Sequence, residues 1–192
     1  MKVRTQEWLT IETPLGLDEV KILRAGNLVL LNGEVYLARD ATHKRLIADF
    51  NSNHALPFNP EGAVIYYAGP SPTPPGEVIG SIGPTTSRRM DRYLEFFLQL
   101  GVRATIGKGS RENKVKELLK NYLGIYFIAC GGAAAYLTRF VVQKEVLAYP
   151  ELGAQALVRI WVKDFPLIVA YDAYGGDLFE QDEISNHKVV TG

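Results

Sequence analysis

Apolar and polar positions divide this chain into short strands near its start and an alternation of helices and strands further on. Val20 to Leu23 and Leu28 to Leu31 are short apolar runs. Asn32-Gly33 carries the signature of a turn, and Glu34 to Ala38 alternates as a strand does. Asp40 to Phe50 has helical spacing, with Ala41, Leu46, Ile47 and Phe50 on one face and His43, Lys44 and Arg45 mostly off it. Ala63 to Ala68 is a strand run, and a further strand is expected around Val78. Between them, Gly69-Pro-Ser-Pro-Thr-Pro-Pro-Gly76 forbids both helix and interior strand and reads as a stiff loop, either a spacer or a loop that shapes a site.

From Gly83 onward the period changes. Helices are expected over Arg88 to Leu100, Glu112 to Tyr122 and Ala133 to Gln143. Strands are expected at Ala104 to Ile106, Ile125 to Cys130, Val146 to Tyr149, Ala156 to Val162 and Leu167 to Asp172, the last two separated by Asp164-Phe165-Pro166. This order implies an α/β fold: a sheet of mixed direction, partly covered by helices, with a β-rich N-terminal part. One domain over residues 1–192 is the expectation from length. Asn121 to Thr138 contains no charge over eighteen residues, but glycines interrupt it and it reads as a buried strand, a turn and a helix.

Charge narrows the function classes. Lys plus Arg and Asp plus Glu balance at 21 each, which argues against a nucleic-acid footprint. Cys130 is the single cysteine, so the chain cannot supply the cysteine set of an iron–sulfur or four-cysteine zinc site by itself. The opening residues lack an apolar signal-peptide core, and a cytoplasmic setting is expected.

Four segments can carry chemistry. Gly83-Pro-Thr-Thr-Ser-Arg-Arg-Met-Asp91 precedes a strong helix. Its hydroxyls can cap that helix and its amides and arginines would attract an anion, although a plain N-cap with surface arginines explains it too. Ile106-Gly-Lys-Gly-Ser110 can present Lys108 from a tight turn but lacks the full spacing of a nucleotide phosphate loop. Arg39-Asp40-Ala-Thr-His-Lys-Arg45 opens a helix. There Asp40 can cap, Arg39 lies just outside, and His43 is either a surface or packing residue or an acid–base group. Gly131-Gly132 and the alanines after it allow close approach of backbone or ligand, or simply close packing. Arg39, Arg89 and Lys108, with hydroxyls at Thr85 and Thr86, form a set suited to a dicarboxylate, because each carboxylate needs a cationic anchor.

These segments, in this order, resemble the β subunit, or C-terminal domain, of class I iron–sulfur-dependent fumarate hydratases and the related L-tartrate dehydratases. The matching strings are Ala38-Arg-Asp-Ala-Thr-His-Lys-Arg45, Ile65-Tyr-Tyr-Ala-Gly-Pro70, Gly83-Pro-Thr-Thr-Ser-Arg-Arg-Met-Asp91, Ile106-Gly-Lys-Gly109 and Gly131-Gly-Ala-Ala-Ala-Tyr136. The resemblance implies a swivelling β/β/α domain that completes an active site with an α subunit. That partner would hold a [4Fe–4S] cluster, and this chain would bind no metal. It also implies that Arg39, Arg89 and Lys108 bind substrate carboxylates and that Thr85 is the catalytic hydroxyl, with Thr86 beside it in the substrate site. The implied reaction is reversible hydration of fumarate to malate. Dehydration of L-tartrate and a non-catalytic dicarboxylate-binding module are the alternatives, and a phosphate-binding enzyme built on Gly107-Lys108-Gly109 is a weaker one.

Overall fold

A computed structural model of the chain describes residues 7–53, 55–129, 132 and 134–180. In order, the elements are β1 (Trp8–Glu12), α1 (Leu17–Ile22), β2 (Leu28–Leu37), α2 (Asp40–Asn53), β3 (Val64–Tyr66), α3 (Asp91–Gln99), β4 (Ala104–Gly107), α4 (Asn113–Tyr122), β5 (Ile125–Ile128), α5 (Ala134–Leu137), β6 (Val141–Ala148) and β7 (Leu157–Tyr171). The fold is mixed α/β. Strands β1 to β5 run parallel, while β6 and β7 are antiparallel to their neighbours. Because β2 also pairs with β7, the strands β2, β3, β4, β5 and β7 close on themselves.

Strand alternation sorts the core. Val64 and Tyr66 of β3, Ile106 of β4, Phe127 of β5 and Ile160, Leu167 and Val169 of β7 belong to one cluster enclosed by the closed strands. Their alternates Ile65 and Tyr67 face outward and pack with Met90, Tyr93 and Phe97 from α3 and its approach, and with Leu46 of α2. Leu94 and Leu98 of α3 turn to the other side, where Val115, Leu118 and Leu119 of α4 cover Tyr126 and Tyr171. Helix α3 can serve two clusters because Tyr93, Leu94, Phe97 and Leu98 make adjacent stripes at the helical period.

Several local expectations give way to longer-range pairing. Val20 to Leu23 lies in and after α1 rather than in a strand: Val20 and Leu23 are buried while Ile22 is exposed, a spacing of three. The Asn32-Gly33 turn does not form, and β2 runs through it with a bulge against β7. Gly33 there has φ 98°, and a Cβ would lie 2.4 Å from Thr13 Oγ1. Asn32 Oδ1 accepts the Asp164 N–H at 2.9 Å, tying this bulge to the region expected to split β7. β7 is instead continuous. Pro166 falls where β7 has left β6 and has not reached β5, so its missing N–H breaks no ladder on that side.

The helix expected over Ala133 to Gln143 is also shorter. After α5 comes a 3-10 turn, Thr138–Phe140, and then β6, in which β-branched Val141 pairs with Val162 of β7 and Val142 falls at a register shift. No strand forms at Val78, which is exposed in a turn, while Ile79 and Ile82 are buried. In the proline-rich loop, the Ser71 N–H donates to the Ser81 carbonyl at 3.0 Å and the Ser81 N–H to Ser71 Oγ at 2.9 Å, closing the loop on itself. Cys130, Gly131 and Ala133 lie outside the described residues.

Candidate functional site

The parallel strands β2, β3 and β4 end side by side, and the segments at their carboxyl ends carry all five predicted site residues. Arg39 leaves β2 and directly precedes α2. Lys108 leaves β4. Thr85, Thr86 and Arg89 come from the segment that passes the end of β3 before α3.

Hydrogen bonds lock these segments together. The Thr85 N–H and hydroxyl both donate to the Tyr67 carbonyl, at 2.8 and 2.7 Å. Thr86 forms a parallel bridge with Lys108. The Ser87 N–H donates to the Lys108 carbonyl at 3.1 Å, and the Lys108 N–H donates to Ser87 Oγ at 3.2 Å. The Ser87 and Tyr126 hydroxyls are 2.9 Å apart, and the Tyr126 hydroxyl lies 2.8 Å from the Gly109 carbonyl. A carbonyl only accepts, so the phenol hydrogen goes to Gly109 and the serine hydrogen to the phenol oxygen. Gly107 makes this approach possible, since a Cβ there would sit 1.8 Å from Ser87 Oγ. The hydroxyls therefore do not cap α3. Ser87 binds the loop after β4, and Thr85 the end of β3, to the segment before α3.

Beneath this latch is a group that the sequence patterns did not mark. The Arg111 side chain is fully buried, and its Nε donates to Asp91 Oδ1 at 2.7 Å. Its Nη1 donates to Thr105 Oγ1 at 3.0 Å, and its guanidinium lies over the rings of Tyr67 and Tyr126. Asp91 Oδ2 also accepts the Glu112 N–H at 3.0 Å. One carboxylate thus joins the start of α3 to the start of α4, close to both Arg89 and Lys108 in sequence. Asp91 belongs to a motif visible in the sequence. Arg111 follows an exposed turn, and no local periodicity announces its burial.

The three predicted cations differ in their acidic company. No ion pair joins Arg39 or Lys108 to an acidic side chain among the described residues, and Arg39 Nε is buried without a hydrogen-bond partner. The Arg39 stem is wedged by Gly69, where a Cβ would lie 3.0 Å from Arg39 Cδ and 2.2 Å from the Ala154 carbonyl oxygen. Arg89 Nη2 has only a long contact with Asp40, at 3.9 Å, and Arg92 Nη2 approaches the same carboxylate at 3.7 Å. A recess of about 590 Å³ is lined by Arg88, Arg89, Arg92 and Lys114 together with Asp40, Asp91, Glu95 and Glu112, so its basic and acidic side chains balance. It takes in Arg89 but not Arg39, Thr85 or Lys108, so these three stand outside that recess. Thr85 is half-buried, whereas Thr86 and Lys108 are exposed.

The start of α2 departs from expectation. Asp40 is already helical, and Arg39 occupies the cap position. His43 is not off the packed face but buried, with its ring 4.9 Å from Phe97 and 5.6 Å from Tyr67. Burial lowers its pKa from 6.5 to about 4, against the opposing pull of the Arg39 carbonyl. Below pH 6.5 the unfolded chain takes up a proton that the folded chain refuses until about pH 4. The contribution to stability is therefore complete above pH 6.5 and lost as pH falls toward 4, at most about 3 kcal/mol. Urea titrations of the wild type and His43→Phe at pH 7 and 4.5 check this: the variant should lose less stability on acidification.

Among the described residues, no group of three or more His, Cys, Asp or Glu side chains could hold a metal ion, and an iron–sulfur cluster finds no ligand set there. No helix among them is long and apolar enough to cross a membrane.

The family description "fumarase C-terminus" matches residues 2–182. The chain belongs to the fumarase C-terminus family. Among relatives with this domain, fumarate hydratase 2 of Leishmania major is 39% identical over 158 residues, covering 81% of this chain and 28% of the relative. The aerobic class I fumarate hydratase of Escherichia coli K12 is 38% identical over 157 residues, covering 81% of this chain and 29% of the relative. A putative L(+)-tartrate dehydratase subunit beta of Methanocaldococcus jannaschii is 38% identical over 169 residues, covering 85% of this chain and 87% of the relative. The chain thus spans little more than a quarter of the two fumarate hydratases, but nearly the whole of the tartrate dehydratase subunit.

Proposed function

We propose that this chain is the β component of an iron–sulfur hydro-lyase that reversibly hydrates fumarate to malate in the cytoplasm, with its active site completed by an α subunit. The observation that supports this reading is that the segments carrying Arg39, Arg89, Lys108 and Thr85 lie at the adjacent ends of three parallel strands, with no ion pair to Arg39 or Lys108 among the described residues. Two carboxylates suit such a set of cations, and planar guanidinium groups hold them in a fixed orientation. Exposed Tyr136, Val142 and Val146 on α5 and β6 suit a chain that works against a partner. The near-full coverage of a tartrate dehydratase subunit supports L-tartrate dehydration as the second reading.

In this reading the [4Fe–4S] cluster belongs to the α subunit, where it supplies Lewis-acid chemistry. Arg39 and Arg89 bind the substrate carboxylates. Lys108 adds positive charge where the carboxylate next to the reacting carbon gains electron density. Thr85 exchanges the proton at that carbon. As a neutral hydroxyl it donates to the Tyr67 carbonyl, which fixes its rotor; to take the proton from carbon it must first release that hydrogen to a neighbouring acceptor, and cations beside it would stabilise the alkoxide so formed.

Arg39→Ala and Arg89→Ala test the clamp in the enzyme assembled with its α subunit under anaerobic conditions. Each should lower kcat/KM about 100-fold, with the cluster's absorption unchanged. Wild-type kcat/KM in either variant would remove that arginine from the site.

A further inference from the structure

The string Arg39-Asp40-Ala41-Thr42-His43 contains two buried polar residues that the proposed chemistry does not use. Thr42 and His43 are both inaccessible, and both bond to the backbone of Arg39. The Arg39 N–H donates to Thr42 Oγ1 at 3.1 Å, and the Thr42 hydroxyl donates onward to the Gln155 carbonyl. The Arg39 carbonyl accepts from the His43 N–H at 2.9 Å and lies 2.8 Å from His43 Nδ1. That carbonyl cannot donate, so Nδ1 carries the hydrogen. Gln155 Oε1 accepts the Ala41 N–H at 3.1 Å, which ties the same turn to the segment before β7.

A capping interaction alone would account for Thr42, three positions after the cap. It does not account for a buried imidazole held on the carbonyl of the same residue. The His43 ring is fixed among Tyr67, Tyr93 and Phe97. Tyr67 in turn supplies the carbonyl that orients Thr85. Arg39 is thus held at its N–H and its carbonyl, and its stem passes Gly69 where a Cβ would crowd it.

We infer that Thr42 and His43 are positioning residues that hold the Arg39 backbone so that its guanidinium is aimed at a substrate carboxylate before substrate arrives. This rests on the proposed role of Arg39. An aimed cation loses little freedom on binding, so the benefit falls on substrate affinity.

The test is a double-mutant cycle in the assembled enzyme, with fumarate and L-tartrate as substrates. His43→Phe keeps a ring in the aromatic pocket and removes the Nδ1 donor. Thr42→Val keeps the shape and removes the hydroxyl. Each should raise KM about tenfold while kcat changes less, and His43→Asn, which keeps a donor at the δ position, should restore part of the loss. In an Arg39→Ala background, neither His43→Phe nor Thr42→Val should raise KM further. An equal KM increase with and without Arg39 would overturn the inference, leaving both residues as packing and capping groups. A wild-type complex inert toward both substrates would instead sink the functional reading, and this inference with it.

Discussion

Asp91→Asn is expected to destabilise the fold by about 3–5 kcal/mol, although the change removes only one charge. Its partner Arg111 has a fully buried side chain, and Asp91 accepts from Arg111 Nε at 2.7 Å. Loss of the carboxylate leaves a guanidinium in the interior with Thr105 and two aromatic faces as its remaining company. Arg111 Nη2 already lacks a hydrogen-bond partner, so there is little local capacity to absorb the loss. The denaturant midpoint measures the effect. The double variant Asp91→Asn/Arg111→Met should be more stable than Asp91→Asn alone, because it removes the stranded charge. A double variant no better than the single one would show that the cost comes from Asp91's bond to the Glu112 N–H.

Thr85→Val should lower kcat at least 100-fold in the assembled enzyme while altering KM little. The substitution is close to isosteric. It removes the hydroxyl whose bond to the Tyr67 carbonyl is 2.7 Å long, at a stability cost of about 1 kcal/mol. Thr86→Val is the paired control. Thr86 is exposed and engages Lys108 through backbone bridging, so its hydroxyl lacks the fixed orientation that Thr85 has. A larger kcat loss in Thr86→Val than in Thr85→Val would reverse the assignment.

The parts of this molecule legible in its sequence are those whose order is set locally. Helices α3 and α4 show in the spacing of Leu94 with Leu98 and of Val115 with Leu119, and the site residues cluster because strand–turn–helix units place chemistry at strand ends. What escaped depends on contacts distant along the chain. Asn32-Gly33 has turn chemistry, yet β7 pairs with β2 on both sides of it and converts the turn into a bulge. Pro166 reads as a break, and becomes tolerable only because neither β6 nor β5 pairs with β7 at that position. Val141 and Val142 continue a helical count from Leu137 until β7 offers a ladder.

The candidate site divides in the same way. Arg39, Arg89 and Lys108 were visible as cations in unusual strings. Their supports were not, because a support is defined by what it touches. By its place in the string Ser87 can cap the helix, whereas in the fold it joins Lys108 to Tyr126. His43 was placed off the packed face of α2, and the aromatic pocket that receives it is formed by Tyr67 from the end of β3 and by Tyr93 and Phe97 from α3. No local pattern singles out Arg111, because its acidic partner lies 20 residues earlier.

In the proposed enzyme this chain supplies grips and a hydroxyl to a reaction whose metal centre sits on another polypeptide. The most direct measurement is hydration of fumarate, followed anaerobically, by the purified chain alone and by the chain assembled with its cluster-bearing α subunit. No turnover is expected from the chain alone, and turnover by the complex should fall about 100-fold when Arg39 is changed to Ala. Turnover of fumarate by the solitary chain, or full activity of a complex carrying Arg39→Ala, would contradict this proposal.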